Sequence, residues 1–236
     1  MDVRAKLRVF LVLLLAAGAV TAQTPPTAED HVRRGEELRR AEKYREAEGE
    51  YTKAIQLDPK RFDAYYYRGI VSDALGNPDL AIRDYTAAIR LDPGLAFAYN
   101  NRGLLYIDRG EYKLAKFDLE RAVQIDPKYT YAFTNLSLLY LRQHDGINGV
   151  LYADKALAIE PRDYFARYNR ALSWGLQGEY ELAIRDFNVA IEIKPTDPGP
   201  VAYRAFTYCQ LGMKDLAAAD EKKALALGGK LVEPCR

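Results

Sequence analysis

Few side chains in this 236-residue sequence could act as nucleophiles, proton carriers or metal ligands. The chain contains two histidines, His31 and His144, and two cysteines, Cys209 and Cys235. Neither histidine has another histidine or a cysteine at the spacing of a metal site, and neither belongs to a nucleophile motif. The glycines form no phosphate-binding loop. We therefore expect no enzyme activity, no metal site and no cofactor, and we interpret both histidines as surface or hydrogen-bonded structural residues.

The two cysteines allow one covalent cross-link. In an oxidising compartment, Cys209 and Cys235 could form a disulfide that ties the C-terminal tail to the rest of the chain. A loop of this length contributes roughly 3 kcal/mol to stability in the chain-entropy model. Two free thiols are the alternative, and the sequence leaves that choice open.

The charge of the chain is balanced. Lys and Arg number 34 and Asp and Glu number 33, which leaves a formal net charge of +1. This balance creates no global field that would attract nucleic acid or acidic membranes. Hydrophobic residues make up 49% of the sequence, enough for a substantial buried core. We expect a globular protein without a nucleic-acid partner.

The first 22 residues have the pattern of a cleaved secretory signal. Cations precede an apolar stretch over residues 9–20, and small residues follow it where signal peptidase cuts. As a helix this stretch would span about 18 Å, short of the roughly 30 Å of a membrane's hydrocarbon core. We predict a signal peptide over 1–22, a linker over 23–27 and an exported protein, periplasmic in a bacterial host and otherwise secreted, with no stable membrane anchor after cleavage. An uncleaved anchor and a wrongly assigned start codon are the alternatives.

Prolines recur along the chain with a period of 34 residues. They are Pro59, Pro93, Pro127, Pro161 and Pro195. This period divides residues 28–231 into six frames and leaves a C-terminal tail over 232–236. The frames are 28–61, 62–95, 96–129, 130–163, 164–197 and 198–231.

Small residues and turn signals recur at fixed places within the frames. One position holds alanine in every frame: Ala54, Ala88, Ala122, Ala156, Ala190 and Ala224. Small side chains let two helices approach closely. A turn signal such as Gly76-Asn77-Pro78 divides a frame, and the proline near its end prevents helical conformation at the preceding residue. Each frame therefore predicts a helix, a turn and a second helix, and neighbouring frames must stack to bury their apolar faces.

This period and pattern resemble the tetratricopeptide repeat family over residues 28–231. The resemblance implies an all-α solenoid of six helix–turn–helix hairpins, wound into a right-handed superhelix with a concave groove. It also implies a non-catalytic module that binds a protein or a peptide. The first helix of each hairpin would line the groove.

An arginine stands at one position of five frames, where a leucine is usual in this family, and a carboxylate follows it sixteen residues later. These residues are Arg34 and Glu50, Arg68 and Asp84, Arg102 and Asp118, Arg170 and Asp186, and Arg204 and Asp220. The fourth frame has Leu136 and Tyr152 instead. Because both charges disappear together, we predict that the two columns pair with each other. A charged binding stripe is the alternative.

Two further columns on the predicted first helices are candidates for ligand contact. Asparagine offers both a donor and an acceptor, so a ladder of asparagines could hold the backbone of an extended peptide, as in the repeat domain of sugar-transferring enzymes that the column resembles. The asparagines are Asn101, Asn135 and Asn169. The aromatic candidates are Phe97, Tyr131 and Phe165, with Tyr66, Tyr67, Tyr168 and Tyr203 in neighbouring places. Hydrogen bonding of the asparagines to neighbouring helices alone is the other interpretation.

The fourth frame also carries Gly146 and Gly149 near the start of its predicted second helix. Glycine costs roughly 1 kcal/mol relative to alanine inside a helix. We therefore expect this hairpin to be the least stable of the six.

These features favour a protein–protein interaction scaffold or adaptor of the cell envelope, which binds an extended peptide or a partner protein in its groove. The alternative is a structural or self-assembling repeat module without a groove ligand. A cytoplasmic secretion chaperone would share the fold but conflicts with the signal sequence.

Measuring the intact mass of the exported protein tests the signal peptide and the disulfide together. Cleavage after Ala22 would leave Gln23 at the N terminus. A Cys209–Cys235 bridge would raise the mass by two hydrogens on reduction. An unchanged mass on reduction would show that the bridge is absent, and a mass that includes residues 1–22 would show that the signal is not removed.

Overall fold

The computed structural model of the protein describes residues 25–232, which form twelve α-helices and no strand. The helices are α1 (Ala28–Arg40), α2 (Tyr44–Leu57), α3 (Phe62–Ala74), α4 (Pro78–Leu91), α5 (Ala96–Asp108), α6 (Tyr112–Ile125), α7 (Thr130–Arg142), α8 (Gly146–Ile159), α9 (Tyr164–Leu176), α10 (Tyr180–Ile193), α11 (Pro198–Gln210) and α12 (Lys214–Ala226). They form six hairpins that stack in tandem, which confirms the predicted all-α solenoid. Between residues 25 and 232, no helix is both long and apolar enough to cross a membrane. The predicted signal peptide lies outside the described residues.

Similar backbone conformations separate the helices in each hairpin. The turn between the two helices contains one residue with positive φ, which is glycine in four hairpins: Gly76, Gly110, Gly178 and Gly212. Glycine adopts this left-handed conformation without the steric cost that other residues meet. Glu42 and His144 occupy the same place in the first and fourth hairpins, each with φ of 58°. The turn is thus part of the repeat even where its glycine is missing.

Small residues set the distance between the two helices of a hairpin. A Cβ atom at Gly35 of α1 would lie only 2.6 Å from Cε1 of Tyr51 on α2. Gly69 and Tyr85 repeat this contact in the next hairpin, with 2.7 Å between the corresponding atoms. Both tyrosines are buried, and so is the alanine of every frame's invariant column. The ring of one helix therefore fills the space that the small residue of the other helix leaves.

In the fourth hairpin, glycines of α8 allow close packing against α9. A Cβ atom at Gly146 would lie 2.7 Å from the carbonyl oxygen of Ser173, and one at Gly149 would lie 3.0 Å from the Ser173 Cβ. The Ser137 hydroxyl donates to the Gly149 carbonyl at 2.8 Å. The glycines expected to weaken this hairpin are thus close-approach positions, where an added side chain would overlap its neighbours; the lower stability of the hairpin stays a prediction.

Replacing Gly149 by Ala would restore the alanine found at this position in the other five frames, yet we expect it to destabilise the protein. The added methyl group would overlap Ser173, and overpacking of this kind costs about 1–3 kcal/mol. Thermal unfolding followed by circular dichroism measures the effect.

Gly49→Ala is the matched control, because no heavy atom lies within 4 Å of a Cβ at Gly49 in α2. This change should stabilise the protein by about 0.5–1 kcal/mol through helix propensity. The double variant G149A/S173A should recover part of the loss, since the Ser173 hydroxyl is the atom nearest to the added methyl group. A Gly149→Ala variant as stable as Gly49→Ala would contradict the close approach of α8 and α9.

Candidate peptide-binding groove

Four of the five predicted arginine–carboxylate pairs form bidentate ion pairs within their own hairpins. In the third hairpin, Arg102 donates from Nε and Nη2 to the two carboxylate oxygens of Asp118, at 2.7 and 2.8 Å. Asp118 is 1% exposed. The equivalent pairs are Arg68 with Asp84, Arg170 with Asp186, and Arg204 with Asp220. Hydrogen bonds to the Asp84 carboxylate raise the pKa of Arg68 above its usual value, so this guanidinium is charged throughout the physiological pH range.

Each of these arginines also reaches the preceding hairpin. Arg68 Nη1 donates to Thr52 Oγ1 at 3.1 Å, and Arg102 Nη1 donates to Thr86 Oγ1 at 2.8 Å. The corresponding acceptors for Arg170 and Arg204 are Asp154 and Asn188. The acceptor always stands sixteen residues before the arginine, on the second helix of the previous hairpin. One guanidinium thus connects three helices, an arrangement that we call the arginine staple.

The first hairpin does not contain the predicted pair of Arg34 with Glu50. Glu50, which is buried, accepts from His31 Nδ1 at 2.6 Å and from Lys53 Nζ at 2.7 Å, whereas Arg34 is exposed. Burial raises the pKa of Glu50, but the hydrogen bonds from Lys53 and His31 outweigh it and hold the pKa below its usual value. No hairpin precedes α1 in the described residues. Arg34 therefore lacks the acceptor, sixteen residues earlier, that would orient its guanidinium toward the Glu50 carboxylate.

In the fourth hairpin, apolar contacts replace the ion pair. Leu136 is fully buried, and Tyr152 packs at the edge of the same cluster. The Tyr152 ring stacks on Tyr140 with 5.3 Å between the centroids and 7° between the planes. Both members of the pair changed together, so no buried charge is left without a partner.

The three candidate asparagines lie along the first helices, and two of them bond to the preceding first helix. Asn135 Nδ2 donates to Asn100 Oδ1 at 2.8 Å, and Asn169 Nδ2 donates to the Thr134 carbonyl at 3.2 Å, each on the preceding first helix. Asn100 in turn donates to Asn101 Oδ1 at 3.2 Å. Asn169 is 6% exposed, whereas Asn101 and Asn135 are half-buried. The asparagines therefore join consecutive repeats, and Asn101 and Asn135 also remain partly accessible.

The aromatic candidates form an exposed row beside the asparagines. Phe97 is 46% exposed, Tyr131 63% and Phe165 54%. Phe97 contacts Tyr66, with 5.5 Å between ring centroids, and Tyr66 contacts Tyr67 at 5.3 Å. Tyr168 and Tyr203 meet edge to face at 5.9 Å. These ring contacts fix the orientation of side chains whose outer faces stay open to solvent.

A third column, which our sequence analysis did not single out, also follows the first helices. One turn after the asparagine position stands a partly exposed apolar side chain in five consecutive hairpins: Ile70, Leu104, Leu138, Leu172 and Phe206. The last three line a cavity of about 810 Å³ together with Tyr168, Asn169 and Tyr203. The 34-residue spacing could have identified this column, but apolar residues at helical spacing are ordinarily assigned to the core.

Cys209, in α11, is disulfide-bonded. Cys235, the only other cysteine of the sequence, lies outside the described residues. Within residues 25–232, no group of three or more His, Cys, Asp or Glu side chains is placed to hold a metal ion.

Comparison with known families identifies the class of protein. Tetratricopeptide repeat profiles match residues 32–96 and 134–198, and a further one matches residues 96–129. Together these matches cover most of the chain. The chain belongs to the tetratricopeptide repeat family, whose members commonly act as protein-interaction modules. No curated protein sequence matches it.

Solved structures of other repeat proteins share the fold. The type IV pilus biogenesis factor PilW superposes with a TM-score of 0.77 at 21% identity, over 86% of this chain and 94% of PilW. YrrB, described as a TPR protein with an unusual peptide-binding site, gives 0.59 at 21% identity, over 75% and 91%. A chain of the APC/C hetero-tetramer Cut9–Hcn1 superposes with a TM-score of 0.77 at 20% identity. The match covers 91% of the present protein but only 43% of the APC/C chain.

Removing one arginine of a staple should be strongly destabilising. Arg102→Ala leaves the buried Asp118 carboxylate without its counter-charge, which costs about 3–5 kcal/mol. Urea unfolding followed by circular dichroism measures the loss.

Arg34→Ala is the control at the same repeat position, and because Arg34 is exposed we expect a change within about 0.5 kcal/mol. The double variant R102L/D118Y copies the fourth hairpin and should regain most of the stability, since an apolar pair of similar volume is tolerated where a lone charge is not. Equal effects of Arg102→Ala and Arg34→Ala would show that the staple contributes nothing.

Proposed function

We propose that the protein is a non-catalytic interaction scaffold that binds an extended peptide or an extended segment of a partner protein. The binding surface would be the inner face, by which we mean the side of the first helices that carries Phe97, Tyr131 and Phe165. The observation that carries this proposal is the apolar surface there. Phe97, Tyr131 and Phe165 are about half exposed, and an apolar column runs parallel to them across five hairpins. An exposed apolar surface of this kind on a folded domain marks an interaction site.

Burial of the aromatic row would supply most of the binding free energy. Each Å² of apolar surface removed from water contributes roughly 25 cal/mol, and aromatic side chains dominate interfaces because they bury large areas. The asparagines would contribute orientation. Asn101 and Asn135 could still hydrogen-bond to a peptide backbone, whereas Asn169 is buried and acts through the neighbouring helix.

Family membership supports a binding role, since these repeats commonly serve as interaction modules. YrrB has a similar fold and is described as containing a peptide-binding site. The pattern of residues 1–22 supports export, and we include in the proposal a location in the periplasm of a bacterial host, or outside the cell of another host, with an adaptor role in the cell envelope. No step of this proposal requires catalysis or a cofactor.

One observation favours the alternative of a self-assembling module. On the second helices of the third and fourth hairpins, large apolar side chains are also exposed. They are Leu114, Phe117, Ile147 and Leu151, between 46% and 72% exposed. Contact between copies through this outer patch would leave the inner face without a role.

Selection of linear dodecapeptides by phage display on the whole chain, followed by calorimetry, tests which face binds. Replacing Phe97, Tyr131 and Phe165 together by Ala should weaken a selected peptide by about 2–4 kcal/mol, because the apolar contact area is lost. Replacing Asn101, Asn135 and Asn169 by Ala should weaken it by about 2–3 kcal/mol.

The control is F117A/L151A on the outer patch, which should leave peptide affinity unchanged. Circular dichroism of each variant checks that helix content is retained, which matters most for the asparagine variant because Asn135 and Asn169 also hold neighbouring helices. Two outcomes would favour the alternative of a self-assembling module. One is peptide binding that is unchanged in both inner-face variants. The other is a chain that selects no peptide and whose self-association is abolished by F117A/L151A.

A further inference from the structure

The cavity of about 810 Å³ lies in the second half of the inner face, among α7, α9 and α11. Its volume is within the range of sites that enclose small ligands or several side chains. Leu138, Leu172 and Phe206 provide much of its apolar wall, and Tyr168 and Tyr203 bring phenol groups to it. It is continuous with the proposed peptide-binding surface, because these residues belong to the columns that run along it.

A glycine keeps this cavity open. Gly175 lies in α9 and lines the cavity, and no heavy atom lies within 4 Å of the position its Cβ would occupy. The same position in other frames carries a side chain: Arg39, Asp73, Ile107, Leu141 and Cys209. A helical glycine costs roughly 1 kcal/mol relative to alanine. Gly35 and Gly149 each allow a neighbouring helix to pack closely, but no group packs closely against Gly175. The effect of Gly175 is therefore to leave the space beside it empty.

Among the described residues that line the cavity, Arg142 is the one with a permanent charge. Arg142 and His144 line one side, and both are exposed. None of the described residues that line the cavity is Asp or Glu. The Arg142 guanidinium therefore has its charge available for a ligand, in a chain whose total charge is close to zero. An apolar wall with a cation at its edge complements an apolar group that carries a carboxylate beside it.

We propose that this cavity, which we call the Gly175 cavity, selects the peptide that the inner face binds: a bulky apolar side chain enters beside Gly175, and an Asp or Glu next to it in the peptide pairs with Arg142. This specificity rests on the proposed function of the inner face. Leucine or phenylalanine would bury its side chain against Leu138, Leu172 and Phe206, while the peptide carboxylate stays at the solvent-exposed edge.

The dodecapeptides selected by phage display on the whole chain serve as the probe. We expect them to be enriched in Leu or Phe adjacent to Asp or Glu. Gly175→Leu places a side chain in the cavity from a position whose Cβ meets no other heavy atom within 4 Å, and should weaken their Kd by at least about tenfold. Gly49→Leu is the matched control, since it places the same side chain at an open glycine of α2 outside the cavity, and should change Kd less than about twofold.

A charge swap tests the carboxylate. Arg142→Glu should weaken the selected peptides by about tenfold, and exchanging their acidic residue for Lys should restore the affinity for this variant. Arg185→Glu, which changes an exposed arginine of α10, is the control with the same change of net charge. Unfolding of every variant is measured alongside.

Peptides that need Phe97, Tyr131 and Phe165 but bind equally to wild type and Gly175→Leu would overturn the cavity proposal and leave the proposed function standing. Failure to select any peptide would overturn both. A third outcome is that the protein binds dodecanoate, and that Gly175→Leu abolishes this binding but leaves peptide affinity unchanged. This result would overturn the proposal, because it would show that the cavity binds a free amphiphile.

Discussion

The arginine staple is the interaction on which the stacking of this solenoid depends. Arg102 neutralises the buried Asp118 in its own hairpin and at the same time donates to Thr86 on the hairpin before it. Hydrophobic contact between helices is tolerant of small rotations, but three directed hydrogen bonds from one planar guanidinium are not. The staple therefore fixes the second, third, fifth and sixth hairpins relative to the hairpin before each of them, and apolar contacts replace it in the fourth.

This arrangement leaves the first helices with a free face. Their small residues pack on the second helices, as Gly35 does on Tyr51, and their arginines are used by the staple. The remaining positions can hold side chains that stability does not require. Those positions carry Phe97 and Tyr131, which are about half exposed, and the partly exposed apolar column from Ile70 to Phe206, in a chain that could have placed charges there. The contacts that stabilise the solenoid and the proposed binding surface thus lie on different faces of the same helix.

The sequence predicts the parts of this structure that depend on periodicity. The 34-residue spacing locates all six hairpins, and the joint loss of charge at Leu136 and Tyr152 indicates which columns touch. It predicts less well what depends on a contact at one site. Arg34 has the same residue type as Arg102, but no hairpin precedes it in the described chain, and His31 pairs with Glu50 instead. Gly35, Gly149 and Gly175 are the same residue type, yet their surroundings differ. Gly35 faces a tyrosine ring, Gly149 faces a serine and Gly175 faces empty space. Only the positions of neighbouring helices distinguish these roles.

Several departures from the repeat lie in the fourth and fifth hairpins. The ion pair is replaced by Leu136 and Tyr152 in the fourth hairpin, Gly146 and Gly149 bring α8 close to α9, and Gly175 on α9 opens a cavity on the other side of that helix's contacts. The close approach of α8 to α9 at Ser173 involves the same helix that carries Gly175, so one helix has both a tightly packed position and an open one.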